Sequence, residues 1–79
     1  MNDKQMDKEY TIELKGIGTI TANIDTLKEL IMVFNESAAL NRKHSMHSSN
    51  EDLAEYCSKR FEQMIDNARS LEKIVNMNE

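Results

Sequence analysis

The feature that most constrains this chain is one long amphipathic stretch, from Glu51 to Met77. Apolar residues recur in it at steps of three and four, which is the spacing of a single stripe along an α-helix. No Gly or Pro interrupts the stretch, and good helix formers fill the positions between the apolar ones. The spacing therefore predicts a helix over 51–77, of about seven turns. Its stripe consists of Ala54, Cys57, Phe61, Met64, Ala68, Leu71 and Val75.

The residues just before this stretch carry a helix-start signal. Ser48 is followed three residues later by Glu51, which is the spacing of a capping box. Glu51 and Asp52 also place negative charge at the positive end of the helix dipole. Ser48 is therefore predicted to cap the long helix.

The N-terminal part of the chain alternates with a period of two, which is typical of half-buried strands. Both glycines of the protein, Gly16 and Gly18, lie between the two alternating segments. The pattern therefore predicts a β-hairpin over 8–24, preceded by a polar lead-in over 1–7. The residues predicted to face the core are Tyr10, Ile12 and Leu14 in the first strand and Ile20, Ala22 and Ile24 in the second.

The register of this hairpin has two interpretations. A two-residue turn at Lys15 and Gly16 would place the two apolar sets on opposite sides of the sheet, because side chains alternate along a strand. A three-residue loop over 14–16 corrects this, with Gly16 in the left-handed conformation and Tyr10 opposite Ile20. A bulge at Gly18 is the other correction.

A first helix is predicted over 26–41. Thr26 and Glu29 have capping-box spacing, and Leu27 begins the apolar pattern. Met32 and Val33 widen the apolar face beyond one side, so that we expect the helix to be covered by the hairpin and by the long helix or another subunit. The polar segment 42–50 is predicted to be a loop.

Together these elements predict an α+β fold of one domain, residues 1–79, with the order β-β-α-α and two antiparallel helices. A chain of 79 residues has a small core, and its single cysteine, Cys57, cannot form an internal disulfide. The long helix also outruns the predicted first helix, which leaves part of its stripe uncovered and predicts a homodimer. The candidate interface residues are Phe61, Met64, Ala68, Leu71, Ile74 and Val75.

Charge and composition limit the partners. The net charge of −4 argues against direct nucleic-acid binding and against attraction to anionic lipid. The longest apolar run, from Leu30 to Phe34, is too short to span a bilayer. The single cysteine and the polar start without a signal peptide predict a cytoplasmic protein. The one basic cluster consists of Arg42, Lys43, His44 and His47.

No arrangement typical of catalysis is found. His44 and His47 could ligate a metal with Cys57, but they are better interpreted as solvated loop residues, and Cys57 as part of the apolar stripe. The segment from Gly16 to Gly18 lacks the Lys-Ser/Thr ending of a phosphate loop. The sequence therefore predicts no catalytic residue, no cofactor and no metal.

The expected function is that of a small acidic, non-enzymatic protein-binding module. One form of it would be a phage-encoded inhibitor that blocks a larger, for example nucleic-acid-processing, partner through acidic and apolar surface. The carboxylates expected to contact the partner are those of Glu55, Glu62 and Asp66, outside the stripe.

The alternative is a dimeric DNA-binding regulator with an arrangement similar to that of ribbon-helix-helix proteins, in which strands enter the major groove. This chain departs from that arrangement in two ways. It has two strands where one is expected, and its outward strand residues lack a basic cluster.

Overall fold

The computed structural model describes residues 8–78 of the chain. It contains two antiparallel strands, β1 (Glu9–Leu14) and β2 (Gly18–Asn23), followed by two helices, α1 (Ile24–His47) and α2 (Glu51–Met77). The predicted order β-β-α-α and the long second helix are confirmed. The predicted lead-in, 1–7, lies outside the described residues.

The hairpin loop is a tight turn that requires glycine. The amide of Ile17 donates to the carbonyl oxygen of Leu14 at 3.3 Å, and Gly16, the third residue of this turn, has a φ of 74°. A positive φ at that position, with none at Lys15 before it, is the pattern of a type II turn. A residue with a Cβ atom is strained there, by about 1–2 kcal/mol.

The predicted length of the hairpin loop is confirmed, but its position is wrong. The loop is formed by 15–17, so that Tyr10 pairs with Ala22 instead of Ile20. The difference is two residues in pairing, which preserves the side of the sheet on which each side chain lies. Ile12 and Leu14 are accordingly buried on the same face as Ala22.

The first helix begins earlier than predicted because no loop separates it from the hairpin. Asn23 is the last residue of β2, and its side-chain oxygen accepts a hydrogen bond from the amide of Thr26 at 2.9 Å. Asn23 is therefore the N-cap. The predicted capping box of Thr26 and Glu29 is wrong, because both residues already lie inside the helix.

The first helix also ends later than predicted, at His47 rather than Asn41. Asn41 and Ser45 continue the three- and four-residue spacing from Ala38, and both are half-buried. The half-buried face of α1 is thus continued by small polar side chains, which a search for hydrophobic periodicity does not detect. Asn41 Nδ2 donates to the Ser37 carbonyl oxygen at 2.9 Å, so that its amide is partly satisfied by the helix itself. The predicted loop over 42–50 is consequently reduced to 48–50.

This short connection caps both helices. The amide of Ser48 donates to the His44 carbonyl oxygen at 2.9 Å and ends α1. Asn50 accepts from the amide of Leu53 at 2.9 Å and is the N-cap of α2. The prediction that Ser48 caps the long helix is therefore wrong. Since the connection is so short and the helices pack on one another, α1 and α2 run antiparallel.

The core draws on all four elements, but it is concentrated toward one end of the helix pair. β2 runs directly into the start of α1, and the hairpin turn reaches the middle of α2 near Asn67. The hairpin therefore covers the half that contains the first turns of α1 and the last turns of α2. The buried apolar cluster is Ile12, Leu14, Ala22, Leu27, Phe34, Ala38, Met64, Ala68, Leu71 and Val75.

The hairpin turn is held to α2 by the side chain of Asn67, which is 2% exposed. The Lys15 amide donates to Asn67 Oδ1 at 2.7 Å, and Asn67 Nδ2 donates to the Lys15 carbonyl oxygen at 3.0 Å. One side-chain amide thus satisfies both polar groups of one backbone residue, as a paired strand would. Within residues 8–78 no buried side-chain nitrogen or oxygen lacks a partner. This contact was not predicted, because Asn67 lies at the edge of the apolar stripe.

We predict that Asn67→Ala lowers the free energy of unfolding by about 1–3 kcal/mol, because two hydrogen bonds are lost and the turn must be resolvated. Chemical denaturation monitored by circular dichroism is the measurement. Asn76→Ala, at an exposed position of the same helix, is the control, and we expect a loss below about 0.5 kcal/mol. Equal losses in the two variants would contradict the role given to Asn67.

Candidate partner-binding surface

Most residues predicted to form a dimer interface lie in the core of a single chain. Met64, Ala68, Leu71 and Val75 are at most 5% exposed, and Ile74 is half-buried against the same cluster. The inference depended on an uncovered half of the long helix. That half is covered, because the hairpin folds over it and α1 is longer than predicted.

The sixth interface candidate, Phe61, lies elsewhere. It is half-buried and occupies α2 closer to the connection between the helices. Phe61 and Asn67 are six residues apart, so that their side chains point about 120° apart around α2. Phe61 therefore faces a different side of the helix pair from the hairpin.

The three carboxylates predicted to contact a partner do not form a continuous acidic surface. Asp66 Oδ2 lies 2.9 Å from Lys15 Nζ, and this hydrogen bond, with the charge of Lys15, holds the pKa of Asp66 below its ordinary value. Glu55 Oε1 lies 3.4 Å from Lys59 Nζ one turn later. Glu62 is exposed. Two of the three predicted carboxylates are thus paired with lysines of the same chain.

The residues weighed for chemistry are not brought together. Cys57 is buried, at 6% exposed, whereas His44 and His47 are exposed in the last turn of α1. Among residues 8–78, no three His, Cys, Asp or Glu side chains are grouped to hold a metal ion. In the same part of the chain, neither helix carries an apolar segment long enough to cross a bilayer.

Large apolar side chains are exposed at the end of the helix pair that the hairpin leaves uncovered. We call this the connection end, formed by 35–47 of α1 and 51–65 of α2. Four large side chains there are about half exposed or more, which is a concentration in a short part of the chain. They are Leu40 at 58%, Met46 at 67%, Leu53 at 49% and Tyr56 at 59%.

An open groove of about 410 Å³ runs between the two helices at the connection end. Its floor is apolar and its rim is mostly polar and basic, and we call it the basic groove. None of the described residues that line it is acidic. The floor is the buried and half-buried part of the lining, Ala38, Phe61 and Ile65, and the exposed rim consists of Asn35, Ala39, Arg42, Lys43, Met46 and His47.

One contact joins the rim to the floor. The guanidinium carbon of Arg42 lies 5.9 Å from the centre of the Phe61 ring, within the range of a cation–π interaction. Among the described residues, neither Arg42 nor Lys43 nor His47 forms an ion pair. The sequence showed this basic cluster, but its pairing with Phe61 depends on the helical conformation of 42–47 and on the antiparallel packing.

We predict that Leu71→Glu prevents folding, whereas a residue at a dimer seam would yield a folded monomer. Leu71 is fully buried, and an unpaired buried charge costs about 4 kcal/mol or more. Thermal melting combined with sedimentation at several protein concentrations is the measurement. Met77→Glu, at a side chain 77% exposed, is the control and should change stability by less than about 0.5 kcal/mol. A folded Leu71→Glu monomer would restore the distal stripe as an interface.

Models of known protein families, curated proteins and solved structures were all compared with the chain, and none matches it. The geometry of the connection end is therefore the basis on which a function can be proposed.

Proposed function

We propose that the protein is a non-enzymatic protein-binding module whose contact surface is the connection end of the helix pair. The observation that supports this proposal is the concentration of exposed large apolar side chains at the connection end, which the folded single chain leaves uncovered. Exposed apolar surface concentrated at one end of a molecule commonly marks a site of protein association.

The connection end contrasts with the hairpin end. At the hairpin end, Leu27 and Leu71 are fully buried beneath the strands. At the connection end, Met46 and Tyr56 remain more than half exposed. Binding of a partner would remove their apolar surface from water, which is favourable. A partner laid on this end would supply the third layer that the hairpin supplies at the other.

The polar part of the contact differs from the expectation drawn from the sequence. Asp66 and Glu55 are paired with Lys15 and Lys59, so that we assign them no contact with the partner. The proposal includes inhibition of a larger protein. The module would inhibit that protein by covering a surface that the protein needs for its own activity.

No observation favours the alternative of a DNA-binding regulator. The outward face of the hairpin carries two carboxylates and no basic side chain, where a ribbon that enters the major groove meets phosphates. The hydroxyls of Thr11 and Thr21 lie 3.0 Å apart and bond to each other. The exposed residues of this face are Glu9, Thr11, Glu13, Thr19 and Thr21.

A homodimer would form through exposed apolar side chains, and those of the connection end are among them. The distal stripe of α2 is buried in one chain, whereas Leu40 and Met46 are exposed. A second copy of the chain is therefore an alternative to a different protein as the binding partner. Sedimentation of the parent protein distinguishes a homodimer from a monomer that binds a different protein.

We predict that Met46→Glu reduces partner binding at least about tenfold, because a charge placed in an apolar contact must be desolvated. The measurement is capture of proteins from a lysate of the source organism by the immobilised full chain, followed by quantification of each captured protein. Met77→Glu, which introduces the same charge far from the connection end, is the matched control.

A protein captured by the parent and by Met77→Glu but lost with Met46→Glu supports the proposal. The same captured proteins in equal amounts with all three chains would contradict it. So would the absence of any captured protein, together with a monomeric parent at high concentration.

A further inference from the structure

We propose that the basic groove binds an acidic amphipathic helix of a partner protein, with the apolar face of that helix on the groove floor and its carboxylates on the rim. This inference rests on the proposed function of a protein-binding module and specifies the chemistry of the partner.

The first argument is charge complementarity. The chain as a whole carries a net charge of −4, but the described lining of the groove contains Arg42, Lys43 and His47 and no carboxylate. None of these three is neutralised by an ion pair within residues 8–78. A cationic site of this kind favours an anionic partner and disfavours a cationic one.

The second argument is the state of Arg42. Its guanidinium carbon lies 5.9 Å from the centre of the Phe61 ring, and the guanidinium N–H groups have no hydrogen-bond partner among residues 8–78. A guanidinium in this arrangement suits a carboxylate that accepts two parallel hydrogen bonds. The ring beside it offers an apolar contact at the same place. The ligand group that fits is therefore a carboxylate next to a bulky apolar side chain.

The third argument is shape. The α1 residues that line the groove run from Asn35 to His47 with helical spacing, which corresponds to about 18 Å or three turns. An open groove of that length between two helices matches an amphipathic helix that docks with side chains at i, i+3 or i+4, and i+7. The floor, which includes Phe61 and Ile65, would receive those side chains.

The competing anionic ligands fit less well. Duplex nucleic acid gains affinity from many phosphate contacts, whereas the basic lining of the groove is limited to Arg42, Lys43 and His47. An anionic membrane surface would contact outward-facing side chains such as Met46, but it would leave unused the apolar residues Ala38 and Phe61, which lie recessed between the helices.

The experiment uses two fluorescein-labelled synthetic peptides of 15 residues. Both have Leu at the same positions, with the helical spacing i, i+3 or i+4, and i+7. One carries Glu and the other Lys at the remaining polar positions. Binding of each to the full chain is measured by fluorescence anisotropy. We expect the Glu peptide to bind at least tenfold more tightly than the Lys peptide and to weaken as salt is raised. Equal affinities would overturn the proposal.

Two charge-reversal variants test the location of binding. Arg42→Glu with Lys43→Glu should weaken the Glu peptide at least tenfold and improve the Lys peptide. Arg69→Glu with Lys73→Glu, both exposed on the outer face of α2, changes the net charge equally and should alter the Glu peptide less than threefold. Circular dichroism verifies that both variants fold. An equal loss in the two variants would show general charge attraction and overturn the proposal.

The two proposals fail in different ways. If Met46→Glu abolishes capture of a partner while the Glu peptide binds no better than the Lys peptide, the module binds protein but not through an acidic helix. A 20-base-pair DNA duplex and phosphatidylglycerol vesicles are tested beside the peptides. Binding of either that depends on Arg42 and Lys43, without binding of the Glu peptide, overturns the acidic-helix proposal.

Discussion

The structure depends on the contact between the side-chain amide of Asn67 and the backbone of Lys15. A two-stranded hairpin is at best marginally stable alone, and burial of apolar surface, being non-directional, does not fix where a hairpin lies on a helix. The pair of hydrogen bonds at 2.7 and 3.0 Å does so, because both backbone groups of one turn residue must meet one side chain. The ion pair between Lys15 and Asp66 fixes the same turn from outside.

The position of the turn decides how the two halves of the helix pair differ. Because the turn reaches only as far as the middle of α2, the strands cover its last turns and leave its first turns without a third layer. The buried Leu71 and the half-buried Phe61 lie on the same helix and in the same apolar stripe. Their different exposure follows from the hairpin, and the basic groove lies where the hairpin stops.

Periodicity predicted those elements whose cores are apolar. The bounds of the long helix and the side of each strand that faces the core follow from steps of three, four and two, and both agree with the structure. The end of α1 did not follow, because Asn41 and Ser45 continue the stripe as small polar residues that hydrophobicity does not detect. Asn67 was missed for a related reason: its partner is the backbone of a turn, which carries no signal in the sequence.

The candidate site could be predicted only in part. The basic cluster is visible in the chain, but its meaning depends on conformation, since a loop would disperse the side chains of Arg42 and Lys43 that a helix aligns. The contact of Arg42 with Phe61 joins residues of two helices and needs their packing to be known. The dimer interface was predicted because the long helix outran the predicted first helix. The hairpin covers that part of the long helix, so that the length difference no longer supports the prediction.

The unequal layering of the helix pair also affects how the molecule opens. Segments with few buried contacts exchange their amide protons through local opening at a lower free energy than the core does. The turns on either side of the 48–50 connection, with exposed Leu53 and Tyr56, are the segment of that kind. A ligand in the basic groove would bind only the closed helices, so that its binding free energy would add to their resistance to local unfolding. In this way the least protected part of the molecule would become ordered by its own ligand.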